Sequence, residues 1–206
     1  RDPLPGTDIP DDQTRLVAVT AKGTVHLWDL GTRDPVGTPV RLPQTTVVHA
    51  GDLSPSGRWL AIPTLDQCLV LDLHAGGAIA AELPTRGRTV CFSPDGSRLA
   101  VNLPGQRIGV WQTSDWSTAE VILDCAAPLF DLCFGQEGAA VYAAQADGVY
   151  RYDVQSGARQ AYTTGGDEVT SLVLNEQQRL LAVARGDRGA QVLDAHTLEP
   201  QTPVLF

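Results

Sequence analysis

One short pattern recurs along this 206-residue chain and narrows what it can fold into. The stretch VHLWDL, Val25 to Leu30, is echoed by LVLDL with Leu71-Asp72, IGVWQT with Trp111-Gln112, VYRYDV with Tyr152-Asp153, and QVLDA with Leu193-Asp194. Taking the bulky member of each pair, the intervals are 43 (71−28), 40 (111−71), 41 (152−111) and 41 (193−152). Each echo is a short apolar run, and short apolar runs with Gly- or Pro-bearing turns fill the space between them. No stretch holds a helical period for long, so every repeat reads as a meander of short strands.

Taken in order, repeat one offers RLVAV, the turn TAKG, TVHLWDL and an outer PVRL. An inner strand is required before Arg15, but the residues preceding Ile9 are too polar to assign it. Repeat two gives VVHAGDL, WLAIP, CLVLDL and AIAAEL; repeat three gives TVCFSPDG, RLAVNL, IGVWQT and AEVIL. Repeat four gives LFDLCF, AAVYAA, VYRYDV and RQAYT, and repeat five VTSLVL, LLAVA, AQVLDA and a last strand QTPVLF. Between the first and second runs stands Ser54-Pro55-Ser56-Gly57, then Ser93-Pro94-Asp95-Gly96. Pro presets φ at the second turn position and Gly accepts the positive φ that ends it. The turn has decayed to Gly135-Gln136-Glu137-Gly138 and Asn175-Glu176-Gln177-Gln178.

A bulky residue followed by Asp at the end of an apolar strand, repeated every 40–45 residues or so, resembles the WD40-repeat family. The resemblance covers nearly the whole chain. It implies an all-β fold, a β-propeller of four-stranded antiparallel blades around a channel. Five WD40-like repeats are visible, at approximately 1–43, 44–85, 86–124, 125–164 and 165–206, in one domain or a portion of one. Propellers of this family often close by mixing strands from both chain ends in one blade, and no such clasp is evident here. Seven blades at about 41 residues need roughly 290 residues. The chain is therefore expected to be part of a larger, about seven-bladed propeller. Its lack of any Met, even at position 1, fits a processed chain or a portion of something longer.

The family's buried His–Asp hydrogen-bond network is only partly represented. Its Asp has counterparts in Asp147 and Asp187, whereas Gly165-Gly166 stands where Gly-His is expected. Trp28, Asp29, Asp72, Trp111, Asp153 and Asp194 are read as structural, marking the register of each blade.

Composition excludes several functions. The net charge is −9, from 24 acids against 15 bases, and nucleic-acid binders carry a basic footprint. Fourteen of the bases are Arg and one, Lys22, is Lys (15 − 1), a GC-rich, bacterial signature. No apolar run approaches a membrane span. The four cysteines show no C-x-x-C spacing; Cys91 and Cys133 sit at equivalent strand positions, Cys68 starts a strand and Cys125 ends one. Buried reduced thiols are the reading, with a cytoplasmic setting.

No cofactor or metal site is expected. His49 with Asp52 is the one acid–base or metal pair on offer, yet residues i and i+3 of a strand point to opposite faces. The rival to a binding module is a propeller enzyme or cofactor-binding propeller with its site at the channel, where Asp52 and nearby Asp131 are the available carboxylates. The favoured function is a non-catalytic scaffold or sensor, the WD40 module of a larger bacterial signalling or defence protein with a protein partner. The resemblance makes the loops before the first strand and between the second and third strands the binding face. They contribute Arg86, Arg88, Arg107, Asp147, Asp167, Glu168, Asp187 and Arg188. Trp59 and Trp116 offer a second contact surface, or else are partly buried.

Overall fold

The computed structural model describes residues 6–8, 15–20, 22–43, 51–85, 89–135, 137–175, 177 and 179–205. Its strands form five antiparallel meanders, here called blades 1 to 5. Blade 1 holds β1 (Gly6–Asp8), β2 (Arg15–Val19), β3 (Thr24–Asp29) and β4 (Val40–Arg41). Blade 2 holds β5 (Asp52–Leu53), β6 (Trp59–Pro63), β7 (Gln67–Asp72) and β8 (Ala78–Pro84). Blade 3 holds β9 (Val90–Phe92), β10 (Arg98–Leu103), β11 (Arg107–Gln112) and β12 (Val121–Asp124). Blade 4 holds β13 (Leu129–Phe134), β14 (Ala140–Gln145), β15 (Gly148–Asp153) and β16 (Arg159–Thr163). Blade 5 holds β17 (Ser171–Asn175), β18 (Leu180–Ala184) and β19 (Ala190–Asp194). The inner strands β5, β9, β13 and β17 adjoin one another in turn, which sets the blades side by side.

Two expectations change at the chain's two ends. The inner strand of blade 1 exists despite its polar residues: Gly6, Thr7 and Asp8 pair with Val19, Ala18 and Val17. The expected last strand QTPVLF does not form as a ladder; it touches β19 through an isolated bridge at Leu205, and Pro200 just before it makes another. Pro200 and Pro203 have no N–H to donate, so a continuous ladder cannot form there.

The second and third strands of the middle blades are buried on both faces, as Leu60 to Pro63, Cys68 to Leu71 and Ala140 to Gln145 show. This is why those runs read as continuous apolar stretches rather than alternating ones. Their two faces enter different cores, one on each side of the blade. Val17, Val25, Leu53, Leu60 and Ile62 form the core between blades 1 and 2. Ala61, Val70, Leu83, Phe92, Leu99 and Trp111 fill that between blades 2 and 3. Ala100, Ile108, Leu132, Val141 and Tyr152 fill the next, and Tyr142, Val149, Leu172, Leu181 and Leu193 the last. Each fully buried Val, Leu or Ile contributes about 1.5–3 kcal/mol. Tyr142 is buried with its hydroxyl donating to Ala195 O at 2.9 Å, so blade 5 satisfies a polar group of blade 4.

The Ser-Pro-x-Gly turns work through their serines. Ser54 and Ser93 are fully buried because each hydroxyl accepts the N–H that opens the next strand, from Trp59 at 2.9 Å and Arg98 at 2.9 Å. Gly57, Gly96 and Gly138 all take φ between 64° and 69°, the left-handed region the turn needs.

The Asp of each echo closes the turn after the third strand. Asp29 Oδ1 accepts from Gly31 N and Thr32 N, both at 2.8 Å. Asp194 Oδ1 accepts from His196 N and Thr197 N, both at 2.8 Å. Asp153 Oδ1 accepts from Ser156 N and its hydroxyl at 2.7 and 2.6 Å. Asp72 Oδ1 takes His74 N and Ala75 N, while Oδ2 pairs with Arg58 at 2.9 Å. These donors hold all four carboxyls below the usual range. In blade 3, Gln112 stands at that position.

Candidate interaction site

A concavity among the described residues lies between blades 2 and 3, on the outer circumference. It is a groove of about 600 Å³ with Glu82 and Pro84 on one side, Ile122 on the other, and Trp111 and Trp116 among its walls. Its length follows strand β11. Arg107 and Pro104, at the β10–β11 turn, mark one end; Trp116 to Ala119, in the β11–β12 connection, mark the other.

Local sequence explains how it forms. Gly109 in β11 has no side chain, and a Cβ there would lie 2.5 Å from the Trp111 ring, so the indole lies across the glycine. Trp111 is thereby buried in the seam, and Ile122, opposite Gly109 on β12, is left 50% exposed. Trp116 packs edge-to-face on Trp59 of blade 2 with ring centroids 5.4 Å apart, and Arg58 lies 4.3 Å above Trp59. Trp59 and Trp116 are thus both half-buried. The indole N–H of Trp116 is buried without an acceptor among the described residues. Arg107 is exposed; its Nε donates to Pro104 O at 3.2 Å, and it pairs with no carboxylate among the described residues.

The other expected contact residues gather elsewhere. Asp167 sits between Arg185, at 2.8 Å, and Arg188, at 3.4 Å. Thr164 ties this corner to the next loop, its N–H donating to Asp147 O at 3.1 Å and its hydroxyl to Asp167 O. Exposed Glu168 and Asp187 complete the corner. Asp147 Oδ2 accepts from the Tyr150 hydroxyl at 2.8 Å; burial and that bond push the phenol up to about 12. Arg107 therefore stands apart from Asp147, Asp167, Glu168, Asp187 and Arg188, which share the rim of blades 4 and 5. Arg86, Arg88 and His49 lie outside the described residues.

Two buried polar side chains take the place that the sequence reading assigned to a His–Asp network. Gln145, fully buried at the end of β14, accepts from Ala126 N and Ala127 N at 3.0 Å and donates to the Tyr152 hydroxyl at 2.8 Å. Arg185, at the equivalent place in blade 5, donates to Gln191 Oε1 at 3.1 Å, Thr164 O at 3.1 Å and Asp167. Both pin the loop that leads into their blade. The signal was present in the sequence: an apolar second strand that ends in Gln or Arg.

The carboxylates near the channel are committed to structure. Asp52 Oδ2 accepts from Phe92 N at 2.5 Å, across the seam to blade 3. Asp131 Oδ2 accepts from Leu172 N and Ser171 Oγ at 3.0 Å, across the seam to blade 5. No cluster of three or more His, Cys, Asp or Glu suited to a metal ion occurs among the described residues. None of the four cysteines forms a disulfide; burial pushes the Cys68 thiol up to about 12 and that of Cys125 up to about 11. Among the described residues no helix is long and apolar enough to cross a membrane.

No protein-family model matches the chain, and no curated protein matches its sequence. The crystal structure of the Myceliophteria thermophila Cps50 (Swd1) β-propeller domain is similar to it with a TM-score of 0.80 at 17% identity. The match covers 98% of this chain and 71% of that one. Together with the five meanders, four of which carry the strand-ending aspartate, this likeness identifies the fold: the chain is a β-propeller, and its repeats resemble the WD40 type.

Proposed function

We propose that the chain is a non-catalytic scaffold that binds a protein partner along the groove between blades 2 and 3. The observation that carries this reading is the groove itself, which combines exposed Ile122, a buried indole N–H without an acceptor among the described residues, and at its end an exposed Arg107 that pairs with no described carboxylate. An extended segment fits such a site: an aliphatic side chain over Ile122, an acceptor for Trp116 and a carboxylate for Arg107. Propellers offer rigid surfaces of this kind, although fold alone does not assign a function. The commitment of Asp52 and Asp131 to seam hydrogen bonds supports the binding reading over a channel enzyme. The charged corner of Asp147, Asp167, Glu168, Asp187 and Arg188 is a secondary contact area in this proposal, and Arg86 and Arg88 are contact residues in it on the strength of the sequence alone. The finer reading, a cytoplasmic sensor module of a larger bacterial signalling or defence protein, is supported by the Arg-dominated composition and by cysteines that form no disulfide.

A displayed library of random peptides tests the groove. The expected selection is a motif with an aliphatic residue near a carboxylate, lost in Ile122→Asp and Arg107→Glu and kept in the distant surface variant Arg179→Glu. Enrichment that survives both groove variants would overturn the assignment.

A further inference from the structure

One wall of the groove is made by β12, and β12 is an edge strand: the sheet of blade 3 runs β12-β11-β10-β9. Register fixes which of its backbone groups are already used. Cys125 N donates to Gln106 O at 2.8 Å, and the pairs Ile108↔Leu123 and Val110↔Val121 continue the same ladder. In an antiparallel pair alternate residues exchange both bonds, so Val121 and Leu123 turn their N–H and C=O toward β11. Ile122 and Asp124 turn theirs the other way, where no described strand stands. The same two residues present their side chains on the groove side: Ile122 lines the groove, and Asp124 follows on the same face of the strand. Both are exposed, whereas Leu123 between them is buried.

Proteins close off such edges with Pro or with basic side chains. The other outer segments carry them: Pro39, Arg41 and Pro43 at β4, Pro84 in β8, Arg159 in β16, and Pro200 and Pro203 after β19. β12, Val-Ile-Leu-Asp, has neither, and its one charge stands at its end.

We infer that the partner segment binds by strand addition, pairing its backbone with Ile122 and Asp124 as a fifth strand of blade 3. This rests on the groove reading and names the form its occupant takes. An extended segment added to a sheet edge draws affinity from main-chain bonds and specificity from alternate side chains. The register states which side chains. The residue opposite Ile122 is aliphatic and extends the apolar strip of Trp111 and Ile122. The residue opposite Asp124 is basic or neutral, because like charges placed opposite each other destabilise a sheet. The carboxylate for Arg107 comes from the end of the segment beyond Asp124, since Arg107 stands across from Asp124 and its Nε is turned to Pro104 O.

A backbone N-methyl scan of a peptide selected through the groove, read by titration calorimetry, tests it. N-methylation at alternate residues is expected to weaken binding about tenfold or more, and at the residues between them to leave it unchanged. Asp124→Pro removes an outward N–H and spares the ladder to β11, so it should lose about tenfold in affinity that Asp124→Asn keeps. The scan needs no variant of the chain and decides alone if Asp124→Pro does not fold. Peptides that depend on Ile122 and Arg107 but give a flat scan would overturn strand addition and leave the groove reading standing. If no selected peptide depends on Ile122 and Arg107, the groove reading falls and this inference with it.

Discussion

Gly109→Ala is a small change with a calculable outcome. The glycine lies in β11 with ordinary extended backbone, so Ala adds no strain to the chain itself. In open space the change would stabilise by about 0.5–1 kcal/mol, because Gly gives up more freedom on folding. Here the added Cβ would meet two atoms of the Trp111 ring at 2.5 and 2.7 Å and Leu103 Cδ1 at 2.9 Å. Ordinary contact begins near 3.4 Å, so the indole must shift by about 0.9 Å (3.4 − 2.5). It is held between blades by Leu83, Val70 and Leu99, all buried, and has little room to do so. Overpacking of this kind costs about 1–3 kcal/mol. The net loss is up to about 2.5 kcal/mol, or up to about 10 °C in Tm for a chain of this size. Thermal unfolding followed by circular dichroism measures it. In a Trp111→Leu background the same change should become neutral or stabilising, a coupling of about 1 kcal/mol or more. A Tm that rises in the single variant, or an effect unaltered by Trp111→Leu, would refute the packing argument. Trp111 also lines the groove, so Gly109→Ala should weaken capture of the selected peptides.

Three further outcomes follow from the same structure. Gln145→Leu keeps the volume but strips partners from Ala126 N, Ala127 N and the Tyr152 hydroxyl; it should cost about 2–4 kcal/mol in urea unfolding, and an unchanged midpoint would contradict its pinning role. Arg185→Met leaves Asp167 with Arg188 alone; a loss of about 3 kcal/mol is expected, and Arg185→Met with Asp167→Asn should recover part of it. The turn-closing Asp29, Asp72, Asp153 and Asp194 are held below their usual pKa by N–H, hydroxyl and guanidinium donors. Their stabilisation is complete above the unfolded value of about 4 and is lost as pH falls through the lower folded values. Asp153→Asn should therefore flatten the fall in Tm between roughly pH 4 and pH 2, and an unchanged slope would contradict the assignment.

The sequence disclosed whatever repeats. The echoes of VHLWDL count the blades, and Gly57, Gly96 and Gly138 mark positive-φ turns that recur for the same steric reason. What does not repeat was harder to read. β1 is a strand because Thr7 lies opposite Ala18, not because Gly-Thr-Asp favours extension. QTPVLF has the alternation of a strand, but Pro203 within it and Pro200 before it interrupt the donor row. The looked-for His–Asp network drew attention to Asp147 and Asp187, while the buried polar work falls to Gln145 and Arg185. The groove depends on a gap between blades: Gly109 and Trp116 have no counterparts in the other repeats, and their juxtaposition is a tertiary fact. Asp52, a channel candidate by strand position, proves to be a brace because Phe92 N lies across the seam.

The central claim is that the groove between blades 2 and 3 takes an extended protein segment. Titration calorimetry of the chain with peptides selected from the displayed library tests it most directly. The account predicts binding that falls about tenfold or more in Ile122→Asp and in Arg107→Glu, a change of about 1.4 kcal/mol. Binding unchanged in both variants would contradict it.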